Sequence, residues 1–172
     1  MKKLLPIVFI LSCCIVNAQD HPAVPATEQF TIEGKVEKPF IFSLKDAKDY
    51  KTSSVDSLVI YNHLRERKRV VKNIKGILLK DILQKVTIDE KNAKLLSEFY
   101  FTCIAADGYK VVFSWNEIFN TEVGNHILIA TETDGLKGEA MPDRLQLLSA
   151  ADIATGRRFM KGISKIIVDR VK

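Results

Sequence analysis

Residues 99–113 read FYFTCIAADGYKVVF. Phe99 to Ala106 and Tyr109 to Phe113 are rich in aromatic and β-branched side chains, and Asp107-Gly108 parts them. Two such runs around Asp-Gly predict a hairpin closed by a two-residue type I′ turn, because both central residues of that turn need positive φ. Ser114 and Glu117 follow at capping-box spacing and predict a short helix through Phe119.

The flanking sequence repeats this grain of short strands and shorter helices. Phe30, Ile32 and Val36 predict a strand interrupted at Gly34 and closed by Pro39, with a second apolar run from Phe40 to Leu44. Ser43 and Asp46 can cap a short helix reaching about Tyr50. Val55 to Tyr61 is a strand by its β-branched content. A basic stretch, Arg65-Glu66-Arg67-Lys68-Arg69, reads as a solvated loop before Val70-Val71. Leu79, Ile82, Leu83 and Val86 recur at helical spacing and predict an amphipathic helix over 78–86. A further helical turn or two is expected from Glu90 to Leu96. His126 to Thr131, Arg144 to Leu148 and Ile163 to Val171 predict strands, with a turn at Asp134-Gly135. With no alternation of strand and long helix and no internal repeat, the class is α+β, mostly antiparallel mixed sheets with short helices.

The amino end is of another kind. Lys2 and Lys3 precede an apolar run from Leu4 to Val16, and Val16-Asn17-Ala18 offers a cleavage site before Gln19. That is the pattern of a secretory signal peptide over residues 1–18. The run is too short for a bilayer span of roughly 20 residues. Cys13 and Cys14 are each preceded by a residue poorly suited to lipoprotein processing. The expectation is therefore an exported protein, periplasmic or secreted, with no transmembrane segment in the mature chain. Residues 19–29 read as a flexible lead-in, and residues 30–172 as one domain large enough to bury its own core.

Cleavage changes what the composition means. The net charge of +5 falls to about +3 without Lys2 and Lys3. That modest basicity argues against nucleic acid and permits a small anionic ligand. Cys103 is the only thiol left, so no internal disulfide can form; mid-strand among aromatic neighbours, it reads as a core residue. No glycine-rich phosphate loop, dinucleotide fingerprint, nucleophile elbow or zinc-protease helix is present. His21, His63 and His126 are scattered, which leaves no metal site by spacing and no catalytic residue to name. Asp107 reads as a turn residue rather than an acid or base.

Four stretches, in order, resemble the sulfite-oxidase-type molybdopterin-binding domain, an oxidoreductase family. Phe30 to Pro39, with Ile41 to Asp46 after it, is similar to the entry strand I-x-G-x-V-x-x-P and its F-S-L-x-D sequel. Lys75 to Leu83 resembles G-V-x-L-x-D-L-L. Ala106 to Tyr109, with Val111 to Phe119, resembles the D-G-Y hairpin and its helix. Ile127 to Ala130, Asp134-Gly135, Pro142 to Leu145 and Gly156 to Ile167 resemble the family's last third, including P-x-R-L. The likeness spans about residues 30–168.

The resemblance implies a molybdenum pterin cofactor in a basic pocket. In catalytic members a cysteine thiolate binds the metal, just after the strand that corresponds to Val55–Tyr61. This chain has Asn62-His63-Leu64-Arg65 there and no Cys. What the resemblance leaves is the anion-binding part. Arg144 matches the arginine of P-x-R-L, Arg158 and Lys161 match basic residues of the closing segment, and His63 and Arg65 sit in the cofactor loop. Two readings stand open. One is an exported molybdopterin-binding oxidoreductase-family domain with its Cys ligand missing, working with a redox or envelope protein partner. The other is a non-catalytic ligand-binding or interaction module that keeps only the fold.

Overall fold

The computed structural model describes residues 24–172, so the expected leader at residues 1–18 lies outside the described part. Period-two burial makes FYFTCIA a strand: Phe99, Phe101, Cys103 and Ala105 of β5 (Phe99–Ala105) are buried, and the residues between them are half-buried on the other face. β5 pairs on one side with β6 (Lys110–Ser114) and on the other with β11 (Ile163–Arg170). β1 (Gln29–Gly34) runs parallel to β11, and β2 (Phe40–Ser43) closes the far edge, giving the order β2-β1-β11-β5-β6. Gly34 has φ 102°, and a Cβ there would lie 2.3 Å from the carbonyl oxygen of Val168. Only glycine lets β1 end so close against β11.

The second sheet holds β3 (Ser53–Tyr61), β4 (Arg67–Leu78), β7 (Ile127–Thr133), β9 (Gln146–Ser149) and β10 (Met160–Lys161), in the order β10-β9-β7-β4-β3. The short β8 (Leu136–Lys137) pairs with the end of β7. Among the described residues, every strand pairing in the two sheets is antiparallel except β1–β11. The architecture is a mixed α+β domain with short helices.

One core lies between the sheets, with Phe30, Ile32, Phe101 and Ile166 from the first and Ile77, Ile129 and Leu147 from the second. A smaller cluster, including Leu58, Val71, Leu128 and Leu148, lines the far face of the second sheet. Helix α1 (Leu79–Leu83) buries Leu79, Ile82 and Leu83, and α2 (Trp115–Phe119) buries Ile118. Both predicted capping boxes form: Asp46 accepts from the Ser43 N–H at 2.7 Å, and Glu117 from the Ser114 N–H at 2.8 Å. The Ser43–Asp46 box starts a 3-10 helix over Leu44–Asp49.

Several expectations are corrected. Ala105 N–H bonds the Tyr109 carbonyl, Gly108 N–H bonds Ala105, and only Gly108 of the Asp-Gly pair has positive φ. The turn is thus a three-residue loop, Ala106 to Gly108, rather than type I′. The two-residue turn with both φ positive is at Asp134-Gly135 instead, with values of 53° and 80°. The helix expected over 78–86 is helical only to Leu83, although Val86 still packs on the core. Arg67 to Arg69 belong to β4 rather than to a loop. Residues expected to be a loose lead-in are bonded from Thr27 onward: the Thr27 carbonyl accepts from Leu145 N–H and the Glu28 carbonyl from Leu44 N–H.

Candidate functional site

Three connections meet at one end of the molecule. The β3–β4 hairpin tip is closed by Asn62, whose Oδ1 accepts from Leu64 N–H at 3.0 Å and Glu66 N–H at 2.9 Å. Its Nδ2 donates to Glu66 at 2.8 Å, and Arg65 takes the left-handed φ of 61° that this tight loop requires. The second connection is a 3-10 turn, Thr155–Arg158, that docks on the end of β3. The buried Thr155 hydroxyl accepts from Tyr61 N–H at 3.0 Å and donates to the Val59 carbonyl at 2.6 Å. Gly156 lies so close that a Cβ would be 2.6 Å from the Tyr61 carbonyl oxygen. The third is the β5–β6 loop, where Tyr109 donates its hydroxyl to the Arg157 carbonyl at 2.6 Å.

Between them lies a cleft of about 500 Å³, lined by Ile60, Asn62, His63, Lys68, Tyr109, Gly156 and Arg157. That volume is within the range of small-ligand sites. No lining residue is acidic, and Arg157 has no carboxylate within 4.0 Å among the described residues. Lys68 shares its charge with Glu66 at 3.0 Å, an exposed pair that holds the Glu66 carboxyl below its usual range together with Asn62. A tighter apolar pocket of about 280 Å³ beside Trp115 and Phe119 shares no lining residue with the cleft and contains no cation.

Of the residues expected to hold a ligand, His63 lines this cleft and Arg65 is on the same hairpin tip. The other three are engaged elsewhere. Arg144, with φ 53°, pairs with Glu28 at 2.7 Å. Lys161 pairs with the buried Asp143 at 3.2 Å. Arg158 donates from Nε and Nη2 to Asp152 at 2.7 and 2.6 Å and from Nη1 to Glu117 at 2.9 Å, with its guanidinium 4.4 Å from the centre of the Phe113 ring. Those carboxylates, Asp152 first, hold its proton still more firmly than usual. Of the two adjacent arginines, it is Arg157 that lines the cleft. Sequence reasoning gave no site role to Arg157, Lys68, Tyr109 or Gly156; two adjacent arginines carry no mark of which one turns inward.

The arrangement can attract and orient an anion through Arg157, the Lys68 ammonium and the His63 ring, with Tyr109 forming an aromatic wall. It offers no thiolate. Cys103 is fully buried in β5, and burial pushes its thiol up to about 12. Among the described residues no group of His, Cys, Asp and Glu is arranged to hold a metal ion.

The fold is thus an α+β domain with a basic cleft at one end. No family model and no curated protein matches the chain. Among solved structures it is similar to the sulfane dehydrogenase SoxCD from Paracoccus pantotrophus, with a TM-score of 0.58 and 11% identity over 85% of this chain. The match takes in 40% of that chain, and at this identity the likeness concerns fold alone.

Proposed function

We propose that this chain is an exported binding domain on the sulfite-oxidase-type molybdopterin fold, and that it takes a small phosphorylated ligand of the pterin-cofactor class in the cleft. The observation that carries the reading is Arg157, an exposed guanidinium with no carboxylate partner among the described residues, beside His63 and Lys68 in a cleft whose described lining holds no acid. A guanidinium fork suits phosphate because it can donate two parallel hydrogen bonds. The ordered segment likeness and the fold shared with a dehydrogenase support the class.

The residues fit the phosphate end of such a cofactor and not its metal. High-valent molybdenum is suited to a soft thiolate, and the buried, protonated Cys103 cannot supply one. No redox step is therefore assigned to this chain; its residues bind, orient and neutralise charge. Arg144, Arg158 and Lys161 keep their carboxylates and stabilise the surrounding loops.

Calorimetric titration with pyrophosphate and with a pterin phosphate tests this, alongside molybdenum analysis of protein purified from its native envelope. Binding should weaken with salt, since exposed charges are screened over about 10 Å at 0.1 M. Arg157→Ala should lower affinity about tenfold, the equivalent of ~1.4 kcal/mol for one charge-assisted hydrogen bond. No binding of either probe at low salt would overturn the reading. So would stoichiometric molybdenum that disappears in Cys103→Ser, which would mark a working enzyme with its ligand elsewhere than argued.

A further inference from the structure

We propose that the rim of this cleft is a docking surface for an anionic lipid bilayer. The proposal shares the cleft's location and two of its cations, Lys68 and Arg157, with the function above, and adds Leu64, Ile153, Arg67 and Lys110, which do not line the cleft.

Two exposed aliphatic side chains stand on loops around the cleft. Leu64, at the tip of the β3–β4 hairpin, is 64% exposed, and Ile153, in the loop before Thr155, is 75% exposed. Neither sits on a floppy tail. Asn62 closes the hairpin through Leu64 N–H and Glu66 N–H. The loop of Ile153 is pinned by Asp152, which accepts from Ser149 at 2.7 Å and from Arg158. Holding a large apolar side chain rigidly in water gives the monomer nothing, whereas a bilayer interface rewards it with the transfer of that surface out of water.

Charge completes the pattern. Arg65, Arg67, Lys68 and Arg69 on the hairpin, Lys110 at the start of β6, and Arg157 are all exposed. Against them on these loops stand Glu66, already paired with Lys68, and Asp107, which accepts from Tyr109 N–H. Asp152 is cancelled by Arg158. The surface is therefore strongly cationic and mostly arginine, suited to the phosphates of lipid headgroups.

A protein partner is the other occupant, and the pattern disfavours it. Protein interfaces centre on a contiguous apolar patch depleted in charge. Here the exposed aliphatics Leu64 and Ile153 stand on two separate loops, with the cations of the β3–β4 hairpin and Arg157 exposed on the same rim. A bilayer accepts such separate tips, each reaching the headgroup boundary independently while the cations contact phosphates around it.

The test is vesicle co-sedimentation of the exported chain, its processed form fixed by intact mass and matched across variants. Vesicles of pure phosphatidylcholine are compared with vesicles containing about a third phosphatidylglycerol. The chain should bind the anionic vesicles and not the neutral ones, and lose binding as salt rises. Leu64→Ser with Ile153→Ser, and separately Arg67→Gln with Lys110→Gln, should each weaken partition about tenfold or more. Neither pair should shift thermal unfolding or pyrophosphate binding, so failure here is distinguishable from failure of the ligand reading. No binding to anionic vesicles at low salt, or equal binding to neutral ones, overturns the proposal. Capture of an acidic protein by a chain that ignores both vesicles overturns it in favour of the protein interface.

Discussion

Arg158→Ala removes a guanidinium that three elements share. It donates twice to Asp152 in the loop after β9, once to Glu117 in α2, and covers the Phe113 ring of β6. Alanine leaves Asp152, whose side chain is only 12% exposed, facing a second carboxylate with no cation between them. Removing one partner of a buried pair costs about 3–5 kcal/mol. Arg158 itself is 21% exposed and Glu117 37%, so water relieves part of the penalty. The expected loss is near the lower figure, ~3 kcal/mol, which for a domain this size is a fall in Tm of roughly 6–12 °C.

The assay is urea denaturation of wild type and variant from pH 7 to pH 3. Burial alone would raise the Glu117 carboxyl, but the Ser114 N–H and Arg158 outweigh it and hold it below its usual range. In the variant the Arg158 part of that support is gone, and the Ser114 N–H remains. As pH falls below about 4.5 the wild type loses the stability tied to the lowered Glu117 carboxyl, and the difference between the two proteins should narrow. A loss under about 1 kcal/mol at pH 7 would refute the reasoning, as would a difference that stays constant into acid. The control is next door: exposed Arg157→Ala should stay within about ±0.5 kcal/mol of wild type while it weakens pyrophosphate binding.

Other outcomes follow from single features. The native Cys103 thiol, pushed up to about 12 by burial, should resist a disulfide reagent at pH 8 and react fully once urea unfolds the chain. Gly108→Val should cost about 1–2 kcal/mol from its φ of 86° alone, because no atom lies within 4 Å of the new Cβ. Gly124→Ala should cost more, about 3 kcal/mol, because its Cβ would overlap the Ile118 carbonyl oxygen; chemical denaturation ranks the pair, and the reverse order would contradict both assignments. Asp46 and Glu117 have folded pKa values lowered from 3.8 and 4.5. The unfolded chain therefore binds more protons just below those values, so their contribution is complete above about pH 4.5 and is lost as pH falls further; a denaturation midpoint flat from pH 5 to pH 3 would exclude it.

What could be read from the sequence was what local chemistry settles. The alternation in FYFTCIA and both capping boxes depend on residues a few positions apart, and they form as read. Asp107-Gly108 and Asp134-Gly135 are the same dipeptide in different turns. The first is set by strand register, with Ala105 opposite Tyr109, and register follows from pairing with β11 far along the chain. The apolar positions of 78–86 do face the core, yet burial does not require a continuous helix, and the chain leaves it after Leu83. Arg67 to Arg69 hide a strand because β4 is solvated there and shows no alternation. At the cleft, His63 was named through the family resemblance, which places a cofactor loop just after β3, and it does line the cleft. Arg157 was not, because only the docking of Thr155 and Gly156 on β3 turns it towards the cleft.

The central strand of the first sheet, β11, is also the last of its strands in chain order, and it joins β2-β1 on one side to β5-β6 on the other. Until it is made, the sheet exists only as two hairpins separated in sequence, neither with a partner for its inner edge. The pairing of Thr31 with Lys165 closes a loop that takes in almost the whole domain, and contacts of such separation form late and slowly. Synthesis of most of the chain therefore yields no finished core. Until β11 is in place both hairpins keep an open inner edge, and an unpaired edge of that kind is a template for pairing with another chain.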